Sequence, residues 1–381
     1  MKKIVSIITG VILFILSIFG ADSFLDSAIK GNREVIRNYR SYERFWSTDV
    51  AKLVMDENTL PIFGSSELVS LEDYNDNISS FLNSKDMNIM TMGAGYFQSL
   101  SHTMTLGAIS DNITSKTVAL FVSPQWFAEG GISTEAFPAR FSEDELLGFL
   151  GNSSISHENK EYVISRTEQL LAGSPTQLNR VQKYASSIDG KFGLNNVYTD
   201  IMENFWELRA KFDVYKQIGD MQQNVPSVNL ADLDWDNMYR LAERQGEAAC
   251  TNNDFGINDD YWNKYVKEIY EQGEVVDKQQ IYEQSVEYDD LKCFLNVARE
   301  LNIEVLLVSI PVNEKWYSYQ GMLCDNYYEK IRDIAVDYTN VKLVDMTKYA
   351  NEKYFFKDVM HLGWKGWTRV NEALYKEFVK Q

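Results

Sequence analysis

Five short apolar runs set the terms for what this chain can fold into. They are TLPIF (Thr59 to Phe63), MNIMTM (Met87 to Met92), KTVALFVS (Lys116 to Ser123), IEVLLVSI (Ile303 to Ile310) and NVKLVDM (Asn340 to Met346). Each is nearly continuous in apolar character rather than alternating, the pattern of a strand buried on both faces. Helical stretches separate them, so the runs predict an α/β domain built on a doubly wound, five-stranded, mostly parallel sheet. Between residues 142 and 301 no strand pattern occurs. Amphipathic stretches such as NVYTDIMENFWELRAKFDVYKQI and DYWNKYVKEIYEQ fill that interval and predict a helical insertion between the third and fourth strands.

Ahead of this domain lies IVSIITGVILFILSIFGA, Ile4 to Ala21, without a charge or a proline. About 20 apolar residues in a helix cross a bilayer, and this run is just long enough. A signal peptide is the rival reading, but bulky Ile18 and Phe19 and the early Asp22 make a poor cleavage site. The expectation is therefore a single-pass, uncleaved N-terminal transmembrane helix. Lys2 and Lys3 favour a cytoplasmic N-terminus, although Lys30, Arg33, Arg37, Arg40 and Arg44 on the far side weaken that bias. The expected layout is an anchor over 1–22, a juxtamembrane helix over 23–58 and the α/β domain over 59–381, held outside the cell membrane. The basic residues of the juxtamembrane helix could meet anionic head groups or an anionic polymer, or form a solvated face balanced by Glu34 and Glu43.

Composition closes off several functions. Lys+Arg 37 against Asp+Glu 55 gives a formal charge of -18, which repels a phosphate backbone and argues against nucleic acid as a partner. Cys250, Cys293 and Cys324 are far apart, and the histidines are His102, His157 and His361, so no Cys/His metal centre is expected. One disulfide stays open, with no pair preferred. The GAG at Gly93 to Gly95 lacks the third glycine of a dinucleotide fingerprint, so no cofactor is expected.

In open α/β sheets the ligand site lies at the carboxyl ends of the strands. After the first strand stands Gly64-Ser65-Ser66-Glu67; after the second, Gly93-Ala94-Gly95; after the third, Ser123-Pro124-Gln125-Trp126. Beyond the fifth, FKDVMHLGWKGW holds Asp358 and His361. A serine hydroxyl becomes nucleophilic when a base accepts its proton and a third group orients that base. Ser66, His361 and Asp358 can fill those roles if the fold brings the first and last strand ends together. Gly93 or Gly95 would allow close backbone approach, the Gln125 amide could donate to an oxyanion, and a helix N-terminus behind Ser66 would favour negative charge. Each piece also has a plain structural reading: Ser65 as a helix cap, Glu67 as a first-turn acid, Gln125 as a loop tie, the tryptophans as core. His102 is a rival base, with no acid near it in sequence.

In combination these blocks resemble the SGNH (GDSL-type) hydrolases. With the N-terminal anchor, FGSSE, SPQWF and DVMHLGWKGW in one chain, the sequence resembles the DltD family of D-alanyl-lipoteichoic acid biosynthesis proteins of Gram-positive bacteria, over essentially its whole length. The resemblance implies Ser66 as nucleophile, with Ser65 where the hydrolases carry aspartate, and Asp358 and His361 as the D-x-x-H pair. Gln125 stands near the usual asparagine, so the oxyanion and substrate contacts from Gly93, Gly95, Gln125 and Ser65 are less defined than the trio. It further implies transfer of D-alanine onto lipoteichoic acid, with a membrane O-acyltransferase of the same D-alanylation pathway as partner. A membrane-anchored esterase or thioesterase, and a non-catalytic assembly factor, remain alternatives. Either a basic patch or tethering to the membrane would have to offset the negative charge towards a polyphosphate, and tethering suffices because it raises effective concentration.

Overall fold

Neighbouring residues in the apolar runs turn to opposite faces of a sheet, and in the computed structural model they divide between two cores. The structure describes residues 2–38, 48–68, 87–128, 130–186, 194–221, 233–275, 284–322 and 324–379. Phe63, Met90, Met92, Val118, Leu120, Val305 and Leu307 enter one core, while Leu60, Ile62, Ile89, Ala119, Phe121, Leu306 and Val308 enter the other. A strand apolar on both sides is stable only with a cover on each face, which is why these runs are continuous rather than alternating.

The strands are β1 (Thr59–Phe63), β2 (Asn88–Met92), β3 (Thr117–Val122), β4 (Glu304–Ser309) and β5 (Val341–Asp345). Their order is β2-β1-β3-β4-β5 and every pairing is parallel, so the sheet is wholly rather than mostly parallel. This is a doubly wound order whose direction of winding reverses between β1 and β3, the place where such folds open a crevice. The sequence reading put the strands in the right places to within a residue or so at each end.

Helices occupy the intervals. In chain order they include α1 (Lys2–Gly31), α2 (Arg33–Asn38), α3 (Thr48–Val54), α4 (Ser99–Ile109), α5 (Glu143–Gly151), α6 (His157–Leu170), α7 (Pro175–Ala185), α8 (Leu194–Gln217), α9 (Trp235–Ala249), α10 (Glu287–Glu300), α11 (Glu314–Tyr319), α12 (Asp325–Val336) and α13 (Trp364–Phe378). Among the described residues no strand lies between β3 and β4, and α5 to α10 fall there. The α10 helix packs on α4 over one face of the sheet, and α13 closes the other.

The helix begun by the apolar run continues as far as Gly31. Its segment Ser6–Gly31, whose most apolar 18-residue stretch has a mean hydropathy of 2.1, is long and apolar enough to cross a membrane. Arg37 is buried and donates to the Val54 carbonyl at 3.1 Å and to Asp56, so it is not free for head groups. Arg40 and Arg44, and the middle of the expected juxtamembrane helix, lie outside the described residues. The three cysteines form no disulfide with one another.

Candidate active site

The chain leaves β1 at Phe63 and enters a single 3-10 turn, Ser66–Leu68. The longer helix expected behind Ser66 falls beyond Leu68, outside the described residues. Two short contacts fix the turn. The Ser65 backbone N–H donates to Glu67 Oε1 at 2.8 Å, and the Ser65 hydroxyl donates to the Ala94 carbonyl at 3.2 Å. Ser65 thus ties the β1 loop to the β2 loop rather than capping a helix. Glu67 folds back on its own turn, and burial raises its carboxyl above the ordinary range despite the Ser65 N–H and the nearby His361 ring.

The β2 loop comes in closely because Gly93 has no side chain. Its φ of 138° is one that few other residues adopt, and a Cβ there would lie 1.8 Å from the Gly64 carbonyl oxygen. Gly95 is the glycine beside the candidate nucleophile: a Cβ on it would sit 4.0 Å from the Ser66 Cβ. The next residue, Tyr96, is held at φ 70° and is exposed, the kind of strained backbone that clusters at functional sites. Arg140, just ahead of the insertion, donates from Nε to the Gly95 carbonyl at 2.9 Å and lies over the Phe97 ring.

From the other end of the chain, residues 355–363 fold into a tight hairpin. Phe356 and Leu362 form an antiparallel bridge, and the Lys357 N–H donates to the His361 carbonyl at 3.1 Å. A Cβ on Gly363 would lie 2.6 Å from the Phe356 carbonyl carbon, so only glycine closes this hairpin. Asp358 and His361 stand at its tip. Asp358 Oδ2 meets His361 Nδ1 at 2.8 Å, while Oδ1 accepts the backbone N–H groups of Met360 and His361 at 2.8 and 2.7 Å. Burial works against the Asp358 charge, but the His361 ring and these N–H donors outweigh it and hold the carboxyl below its ordinary value of 3.8. The adjoining Lys357 is pushed down to about 8 by burial, partly countered by Asp358.

The two ends meet. Ser66 Oγ lies 2.8 Å from His361 Nε2, across 295 positions of sequence. Hydroxyl, imidazole and carboxylate form one continuous chain of hydrogen bonds at the carboxyl edge of the sheet. Such a chain can remove the serine proton as the oxygen attacks an acyl carbon, and can steady the imidazolium that results. His102, the rival base, is buried beneath the loops, its ring packed 5.4 Å from Phe63 and 5.9 Å from Trp126. Gln125 lies on the 3-10 turn Pro124–Phe127 after β3, and its buried Oε1 has no hydrogen-bond partner among the described residues. Trp367 packs on Phe121 in the core and Trp364 is buried at the head of α13. Among the described residues no cluster of metal ligands occurs.

The fourth strand end also contributes, although no site residue was sought there. Asn313, buried four residues beyond β4, donates from its backbone N–H to the Val359 carbonyl at 3.0 Å, inside the Asp358–His361 turn. Its Nδ2 donates to the Phe255 carbonyl at 3.0 Å and its Oδ1 accepts the Trp316 N–H that opens α11. The Asn258 N–H reaches the Lys357 carbonyl at 2.8 Å. The insertion is therefore sewn to the histidine hairpin from behind.

Fold and site together define a doubly wound α/β protein with a serine–histidine–aspartate constellation at its topological switch point. The family model described as "DltD protein" matches residues 41–380, and the chain belongs to the DltD family. It is similar to Protein DltD of Bacillus subtilis, 27% identical over 337 residues, covering 86% of this chain and 84% of that protein. Protein DltD of Staphylococcus aureus is 29% identical over 330 residues, covering 85% and 82%. Protein DltD of Lacticaseibacillus rhamnosus is 26% identical over 338 residues, covering 86% and 78%.

Proposed function

We propose that the chain is a membrane-anchored serine acyltransferase that moves D-alanine onto glycerolphosphate units of lipoteichoic acid outside the cell. Ser66 Oγ attacks the carbonyl carbon of the activated D-alanyl donor while His361 Nε2 takes the hydroxyl proton. The carbon–leaving-group bond breaks, the leaving group departs with that proton, and the alanyl ester stays on Ser66. A glycerol hydroxyl of the polymer then gives its proton to His361 and attacks the ester, and Ser66 Oγ recovers the proton as the new ester leaves. Asp358 holds the His361 tautomer through both halves. The donor arrives through a membrane O-acyltransferase of the pathway.

The observation that carries this reading is the 2.8 Å contact of Ser66 Oγ with His361 Nε2, backed by the 2.8 Å contact of Nδ1 with Asp358. Family membership supports the D-alanylation setting, and the apolar N-terminal helix supports a tether to the membrane. The test is Ser66→Ala at normal level in the membrane: D-alanine content of the teichoic acid should fall to that of a strain lacking the protein. Full D-alanylation by the variant would instead leave the assembly-factor reading. Hydrolysis is separated from transfer by offering the protein a D-alanyl ester with and without polymer. Transfer predicts that polymer diverts the alanyl group, and free D-alanine released at the same rate in both would favour the esterase.

A further inference from the structure

Outside α1, exposed bulky apolar side chains are few among the described residues, and five of them fall on one helix. Val197, Ile201, Phe205, Phe212 and Tyr215, all on α8, are 38% to 62% exposed. With partly buried Leu208 they fall within an arc of about 80° at 3.6 residues per turn, a stripe about 27 Å long. The side of α8 turned away from the stripe faces the core through Trp206 and Val214. A row of this length and regularity is an interaction surface rather than scattered surface apolarity.

The end of the stripe touches α1. Tyr215 meets Phe24, itself exposed, edge to face with centroids 5.4 Å apart. Beside this contact the buried Lys211 ammonium joins Asp22 and Asp26 of α1 and Asp49 of α3 at 2.7, 2.8 and 2.8 Å. The lock lies immediately past the apolar run, where a helix crossing a bilayer would emerge. The Phe24–Tyr215 contact thus joins an exposed apolar residue of the anchor helix to the stripe on α8. Cations line one edge of the row: Arg209 lies 5.1 Å over the Trp206 ring and Lys216 5.1 Å over Phe212, and both also pair with Asp213. Aromatic and aliphatic side chains edged by basic ones are the composition of helices lying in a membrane interface.

We propose that α8 lies on the same bilayer that α1 crosses, with its apolar stripe in the lipid interface, so that the insertion is a second membrane contact. The proposal rests on α1 spanning that bilayer. Two contacts instead of one restrain the α/β domain's swing about its anchor and hold it near the membrane surface.

The test uses the purified full chain in phosphatidylglycerol-containing vesicles, with p-benzoylphenylalanine placed singly at Phe205, Phe212, Leu13 and Val336. Leu13 on α1 reports spanning, and Val336, on the helix α12 that packs on β4 and β5, is an exposed apolar control. Illumination should give lipid adducts at Phe205 and Phe212 as at Leu13, and none at Val336. Lipid adducts at Leu13 alone, or cross-linked dimers from Phe205 and Phe212, would overturn the proposal while leaving the anchor intact. Absence of lipid adducts at Leu13 would overturn the anchor and the proposal together.

Discussion

At the scale of single residues, the site depends on a carboxylate kept charged although buried. Asp358 stays ionised because three donors converge on it, and its neutral analogue would favour the wrong His361 tautomer. Asp358→Asn should slow acyl transfer on the order of 10⁴-fold with the fold intact, measured as kcat at saturating donor. The same carboxylate links stability to pH. Its folded value lies below 3.8, so the stabilisation is complete above that value and is lost as pH falls through the folded one. In denaturant titrations the stability gap between wild type and Asp358→Asn should shrink as pH falls below the ordinary carboxylate range. A gap that stayed undiminished well below that range would contradict this reading of Asp358. Ser66, His361 and Asp358 were legible in the sequence because strand ends and residue chemistry suffice to nominate them. Glu67 was not: an acid in the first residues after a strand reads as a helix-dipole partner, whereas here it turns back onto the Ser65 N–H. Arg37 was missed for a similar reason, since charge patterning does not reveal that Asp56 lies within reach inside the fold.

At the scale of elements, the site is a junction of loops, and Asn313 joins three of them. Removing its side chain leaves the Phe255 carbonyl and the Trp316 N–H without their partner, at a cost of about 1–3 kcal/mol, while the backbone bond to Val359 remains available. Asn313→Ala should therefore loosen the histidine hairpin, lowering kcat more than it raises KM. Asn313→Asp, which keeps the α11 cap, should recover stability more fully than activity. Equal losses in both quantities would make Asn313 merely structural. Reading the residues after the fourth strand as carefully as those after the other four would have found it. Its role would still have been hidden, because it depends on Phe255 and Val359, each remote in sequence.

At the scale of the whole molecule, five strands and their parallel pairing were visible in apolar runs, since a strand covered on both faces cannot disguise its composition. How the insertion meets the rest was not visible: Lys211 finds Asp22 across nearly two hundred residues, and no local pattern announces it. Burial opposes the Lys211 charge, but its carboxylate partners more than compensate and raise its pKa. Lys211→Met should leave those carboxylates facing one another and cost about 3 kcal/mol, the low end for a broken buried pair because the partners are partly solvated. Thermal unfolding of the full chain in vesicles would register it, and an unchanged midpoint would refute the lock. The proposed chemistry turns on Ser66 being a nucleophile activated by His361. Reaction of the intact protein with a serine-directed fluorophosphonate, read by peptide mass spectrometry, addresses that directly. The prediction is one adduct, on Ser66, that disappears in His361→Ala; an unreactive Ser66, or labelling that persists without His361, would contradict it.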